Sequence, residues 1–337
     1  MTGEDFKTSG MTNKVIIILL GPTGVGKSGV SIPLAKALDT EILSADSMQI
    51  YRHMDIGTAK PTVEERALVK HHMIDIVAPW ESYSTGKYIG AVVPIIEKLH
   101  REGKMPIVVG GTGLYIKAMT RGIFSGPSAD WTLREELLSM EEGEDGSLHR
   151  LLRCLDPESS ERITPNDTRR TTRAIEVCLR GNSSMSAMQR KMTKPLPYRF
   201  IKIGLSRNRR ELYRIIETRV DKMIGAGLVE EVQNVMAMIK DAGKGKKNQS
   251  PPLPPPASHF PSMQAIGYKE IAFYLEGKIT LEEAVQLIKK GSKRYGKRQF
   301  TWFKKEENVH WIDITEIYDS GMIFTLISDV LSNVLKH

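Results

Sequence analysis

Val15-Ile16-Ile17-Ile18-Leu19-Leu20 runs directly into Gly21-Pro22-Thr23-Gly24-Val25-Gly26-Lys27-Ser28, and a helical pattern opens there. An unbroken apolar run bounded by turn residues reads as a buried strand of a parallel sheet. The eight residues after it match G-x-x-x-x-G-K-[ST], in the strand-then-helix context that gives this motif its meaning. Glycines let backbone N–H groups turn inward and converge on phosphate oxygens. The helix N-terminus adds the positive end of its dipole. Lys27 supplies a mobile point charge and Ser28 a hydroxyl for Mg²⁺. Gly21, Pro22, Thr23, Gly24, Val25, Gly26, Lys27 and Ser28 therefore form a diphosphate- or triphosphate-binding loop, without saying which ligand it takes.

Working outward, Glu41–Ala45 and Pro106–Val109 are two more short apolar runs followed by turn residues and helical patterns. Alternating strand and helix predicts an α/β fold, a P-loop NTPase-like parallel sheet core. From Ile123 the texture changes. Leu148, Leu151, Leu152 and Leu155 recur at helical spacing up to Asp156-Pro157, and Asn166-Asp167 caps a second helix that stops near Gly181. Residues 124–195 read as a helical insertion domain. Tyr198–Leu205 returns to the sheet, so the core comprises 15–123 and 196–315, with basic helices over Ile266–Phe303. Residues 1–14 read as a loose tail in which Met11 is an alternative start. Six prolines within 251–261 make 243–261 an extended, mobile loop with Lys244, Lys246 and Lys247 beside it.

The 337 residues suit about two domains at roughly 150 residues each. At 40% hydrophobic residues a wholly disordered chain is excluded. Lys and Arg exceed Asp and Glu by 48 − 40 = 8, which makes a polyanionic partner plausible without naming one. Cys154 and Cys178 are too few for a disulfide framework and lack metal-ligand spacing, so a reducing cytoplasm is expected. His71 and His72 lack a third ligand and read as structural or surface residues. No apolar run approaches the ~20 residues that span a bilayer, and residues 1–14 lack the apolar stretch of a secretory signal.

The strand Ile107-Val108-Val109 ends in Gly110-Gly111-Thr112, where a hydrolytic P-loop ATPase would carry a Mg²⁺-binding Asp. A carboxylate follows the second strand, Asp46 in Ser44-Ala45-Asp46-Ser47-Met48-Gln49. Ligands of doubly wound sheets bind beyond the carboxyl ends of strands. That places Asp46 near the loop mouth, able to take a proton from a nucleophile; a turn or N-cap Asp is the other reading. Thr112 sits at the matching end of another strand, or is a turn residue. These residues support a transferase with a phosphate-bearing donor. A small-molecule kinase using ATP, a transferase using an allylic diphosphate, and an RNA-binding protein that keeps a nucleotide pocket all stay open.

Six stretches, GPTGVGKS, SADSMQIYRHMDIGTAKP, PIVVGGTGLYIKAM, PNDTRRTTRAIEV, GYKEIAFYLEGKIT and KRYGKRQFTW, run in order from Gly21 to Trp302. Together they resemble the tRNA dimethylallyltransferases, also called tRNA isopentenyltransferases. The resemblance implies transfer of a dimethylallyl group from dimethylallyl diphosphate to N6 of adenosine 37, next to the anticodon of tRNAs reading codons that begin with U. Diphosphate leaves, Mg²⁺ is the expected cofactor, and a monomer acting on the anticodon stem-loop is expected. ATP would occupy the loop only as a competitor.

The resemblance also assigns roles. Lys27, Asp46, Thr112 and Arg219 are the implied catalytic residues, although spacing alone does not separate Arg219 from Arg214. Asp46, Ser47, Met48 and Gln49 are implied to meet the displaced nucleotide, and Thr112 to orient the base or the donor. Arg134, Arg169, Arg170, Thr171, Thr172 and Arg173 are implied tRNA contacts. The family often carries Gln where this chain has Arg169, so an amide contact is replaced by a phosphate contact. Lys289–Lys305 holds eight Lys/Arg and no acid, with Tyr295, Phe300, Trp302 and Phe303 interleaved. It is either a grip on the stem backbone or a solvated helix face.

Overall fold

A computed structural model describes residues 14–124, 126–181, 183–244 and 260–336. The expected N-terminal tail and most of the Pro-rich loop lie outside these residues. Six strands, β1 (Val15–Leu20), β2 (Ile42–Ala45), β3 (His71–His72), β4 (Ile107–Gly110), β5 (Arg199–Ser206) and β6 (Val309–Asp313), form one sheet. Their order is β3-β2-β4-β1-β5-β6 and every pairing is parallel. The first half of the chain supplies helices α1 (Lys27–Ala37), α2 (Val63–Leu68), α3 (Thr85–Arg101) and α4 (Gly113–Arg121). Helices α5 (Trp131–Gly143), α6 (Ser147–Leu155), α7 (Pro157–Arg162), α8 (Thr168–Arg180) and α9 (Met185–Met192) follow. After β5 come α10 (Arg209–Gly225), α11 (Leu228–Lys244), α12 (Tyr268–Leu275), α13 (Leu281–Phe303) and, after β6, α14 (Ser320–Leu335).

β1 lies inside the sheet with all six residues buried, which is why it reads as a continuous apolar run rather than an alternating one. Val15, Ile17 and Leu19 pack with Val30 and Leu34 of α1 and Ile323, Ile327 and Leu331 of α14. A second cluster joins Ile50, Tyr51 and Met54 to α10, α11, α12 and α13 through Val220, Val232, Tyr268 and Ile288. Glu231 of α11 is its polar centre. The carboxylate accepts from the N–H groups of Asp55, Ile56 and Gly57 at 2.8–3.0 Å and from the Tyr268 hydroxyl.

β3 and β6 are edge strands that the sequence did not announce. β3 has only two residues, held beside β2 while His72 bonds Glu41. β6, Val-His-Trp-Ile-Asp, buries Ile312 and leaves His310 and Trp311 exposed, so it lacks an apolar run.

Contacts divide the chain into two units. One joins residues up to Ile116 with those from Pro197 onward; the other is Lys117–Leu196. The second is all-helical, with Leu137, Leu148, Leu152, Ala174 and Ile175 as its core. Asp156, 1% exposed, ties α7 to α9 by accepting from the N–H and hydroxyl groups of Ser159 and Ser186. No helix among the described residues is long and apolar enough to cross a membrane.

The carboxyl ends of β2 and β4 come unusually close. A Cβ on Gly110 would sit 2.2 Å from the Ala45 carbonyl oxygen. Gly110→Ala is therefore expected to lower stability by about 2 kcal/mol or more. A urea midpoint unchanged from wild type would show that the two strands have room to part.

Candidate active site

The phosphate loop leaves β1 and enters α1 through Gly26, whose φ of 115° L side chains rarely adopt. Lys27 folds back over the loop, and its Nζ donates to the carbonyls of Gly21 and Pro22, both at 2.9 Å. Burial is the main influence on the ammonium and lowers its pKa to about 8; Asp46 favours the charge and Arg219 opposes it. Ser28 lies exposed in the first turn of α1.

Arg219 reaches the loop from α10, donating to Thr23 Oγ1 at 3.2 Å. Burial lowers its pKa and Asp46 partly offsets this. Arg214, one turn earlier, is exposed. The tertiary structure thus separates the two arginines that spacing left equivalent.

Asp46 and Thr112 stand at adjoining strand ends. The Thr112 N–H donates to Ala45 C=O at 3.0 Å, and the Thr112 hydroxyl accepts from Ser47 N–H at 2.9 Å. Asp46 closes a turn by accepting from Met48 N–H at 2.8 Å. Gln49 faces inward. Its Oε1 accepts from the Ser44 hydroxyl at 2.9 Å and its Nε2 points at the carbonyls of Thr58 and Ala59 at 3.4 and 3.2 Å. Met48 packs against the second core.

Two further residues belong to this site. Gln299 of α13, only 6% exposed, accepts from Thr23 N–H at 2.8 Å and donates to Gly111 C=O at 2.9 Å. Tyr295, one turn earlier, lies beside Thr112 and Gln299; burial and the Asp46 charge raise its pKa. A tyrosine and a glutamine at i and i+4 on a basic helix are the one sequence signal they leave.

α13 presents another face to solvent. Arg294, Lys297, Arg298, Thr301, Trp302 and Lys305 line a shallow depression of about 450 Å³. Lys289 and Lys293 turn to α10, pairing with Asp221 and Glu217, so the eight basic residues do not form one surface.

The helical unit holds the other expected contacts. Glu176, with a fully buried side chain, receives Arg134 through two bonds at 3.0 and 2.7 Å and also pairs with Arg173. Arg169 and Arg170 are exposed, whereas Thr171 and Thr172 are buried with hydroxyls that find no partner among the described residues. The phosphate loop, Asp46, Ser47, Thr112 and Arg219 are thus brought together in one unit, while Arg134 and Arg169–Arg173 gather in the other. Among the described residues no cluster of three or more His, Cys, Asp or Glu is placed to hold a metal.

Residues 49–306 match the family model of IPP transferase. The tRNA dimethylallyltransferase of Thermodesulfovibrio yellowstonii is 54% identical over 95% of this chain and 98% of its own. That of Thermotoga maritima is 44% identical over 89% and 92%. A crystal structure of the full-length tRNA isopentenylpyrophosphate transferase of Bacillus halodurans aligns with TM-score 0.68 and 38% identity, covering 96% of this chain and 97% of that one. A eukaryotic dimethylallyltransferase crystallised acting on tRNA aligns at TM-score 0.75 and 27% identity, over 95% of this chain and 80% of its own. None of these four bears the name of a kinase. With the family model matched over residues 49–306 and a relative 54% identical across most of both chains, the chain belongs to the IPP transferase family.

Proposed function

We propose that this protein is a cytoplasmic, monomeric tRNA dimethylallyltransferase that acts on N6 of adenosine 37. The observation that carries the reading is the gathering at the strand ends of Arg219, bonded to Thr23 of the loop, Lys27 folded over the loop, and Asp46 near enough to favour the charge of both, with Thr112 at the adjoining strand end. Its relatives' names support the substrates.

An exocyclic adenine amine is a weak nucleophile, because its lone pair is delocalised into the ring. The leaving group must therefore be stabilised strongly as negative charge develops on it. Loop N–H groups, Lys27 and Arg219 bind the diphosphate and neutralise it. N6 attacks C1 of the dimethylallyl group, the C1–O bond breaks, and diphosphate departs. Asp46 accepts the N6 proton, and Thr112 orients the acceptor. The base enters the pocket unstacked, at a modest cost for a nucleotide in a loop.

Mg²⁺ fits this arrangement without an acidic cluster, since it is commonly held by one or two protein ligands plus phosphate oxygens. Ser28, exposed at the start of α1, would be the protein's hydroxyl ligand. When bound, the ion would neutralise charge on the diphosphate. The outward cations of α13, Arg294, Lys297 and Arg298, suit phosphates of the anticodon stem, and Arg169 and Arg170 of α8 are exposed for the same chemistry.

Incubation with tRNA, dimethylallyl diphosphate and Mg²⁺, followed by mass analysis of tRNA nucleosides, is expected to reveal N6-dimethylallyladenosine; consumption of ATP without tRNA would favour a kinase. Asp46→Ala and Arg219→Ala are each expected to reduce turnover by about a hundredfold or more while tRNA affinity persists, checked by single-turnover kinetics and filter binding. Free-enzyme affinity for the diphosphate should fall as pH rises through about 8, because buried Lys27 loses its charge there. Calorimetric titration checks this, and Lys27→Met should flatten that limb. Raising salt should weaken tRNA binding steeply as counterion release loses its benefit; a flat response would remove α13 as a phosphate grip.

A further inference from the structure

Gln299 joins the two halves of the site. Its Oε1 accepts from Thr23 N–H at 2.8 Å, and Thr23 Oγ1 receives Arg219 at 3.2 Å. Its Nε2 donates to Gly111 C=O at 2.9 Å, and the next residue is Thr112, which holds Ser47 N–H beside Asp46. The fit leaves no slack, since a Cβ on Gly111 would lie 2.1 Å from Gln299 Nε2. Gly296 of α13 lies beside the loop, where a Cβ would make only ordinary contacts with Ile216, Thr23 and Pro22 at 3.5–3.9 Å. A carboxamide, with one acceptor and one donor end, suits both ends of this bridge. Leucine offers neither group, and an ionised glutamate turns an acceptor toward the Gly111 carbonyl.

We propose that Gln299 is a positioning residue that sets the separation between the diphosphate-holding loop and the Asp46–Thr112 end of the sheet. It thereby sets the reach between the attacking amine and the carbon of the donor. The inference rests on the transferase reading above. Group transfer requires reacting atoms within about 3–3.5 Å, and a misplacement of about 1 Å costs on the order of a hundredfold. Because Gln299 bonds the backbone of each loop, its loss falls on turnover rather than on affinity for either substrate.

The test is steady-state and single-turnover transfer by the full chain, with thermal melting as a check on folding. A wild-type chain that forms no dimethylallyladenosine overturns the transferase reading and this inference with it. With wild-type transfer established, Gln299→Leu is expected to lower kcat about a hundredfold with little change in KM for tRNA or diphosphate. Gly111→Ala leaves Gln299 in place but displaces its amide, and should reproduce that loss. The double variant should be no worse than the worse single variant, because both act through one contact. Gln299→Glu should regain turnover as pH falls, when the protonated carboxyl donates to Gly111 C=O as the amide does. Should Gln299→Leu fail to fold, Gly111→Ala and Gln299→Glu carry the test. Wild-type kcat at neutral pH in any of these variants, additive losses in the double variant, or a Glu variant with the wild-type pH profile would overturn the proposal.

Discussion

Positive charge with little water around it organises the site. Lys27 and Arg219 are both desolvated, and the protein offers them chiefly neutral oxygens: two loop carbonyls and the Thr23 hydroxyl. Asp46 is the nearby charge that favours both. A buried cation without a full counterion is costly, and binding a polyanion recovers that cost. The proposed diphosphate would supply that counter-charge. Asp46, whose carboxylate closes its own turn on Met48 N–H, stands close enough to favour the charge of both cations.

α13 shows how one helix serves two sides of a site. Gly296 and Gln299 lie against the loop, and Trp302 packs where a Cβ on Gly113 would come within 2.4 Å of its ring. Arg294, Lys297 and Arg298 face outward. Lys289 and Lys293 are spent on ion pairs with α10, which fix the helix sideways. A charge count along this segment therefore overstates the surface open to a polyanion. Within the helical unit, Glu176 draws Arg134 and Arg173 to one buried carboxylate and holds two planar guanidinium groups in place.

Much of the fold was legible because it rests on neighbours in sequence. β1 announces itself by six consecutive buried residues, and the phosphate loop by contiguous glycines, Lys27 and Ser28. The helix predicted after Asn166-Asp167 is α8, and Asp167 caps it by accepting from Arg170 N–H. The edge strands β3 and β6 were not legible, since one is two residues long and the other leaves His310 and Trp311 in solvent. Thr171 and Thr172 looked polar and available in the sequence, yet α8 turns both inward.

By itself the sequence determined the sheet core, the glycine-rich turn between β1 and α1, the helical stretch between Ile123 and Leu196, and the candidacy of Asp46 and Thr112 at strand ends. These follow from local backbone requirements and from hydrophobic period. Only the tertiary structure decided which arginine serves the loop and that a glutamine bridges the site. Arg219 meets Thr23 across 196 positions, and Gln299 meets it across 276. Contacts at such separations are set by how helices pack on a sheet, and residue spacing along the chain carries no record of that geometry.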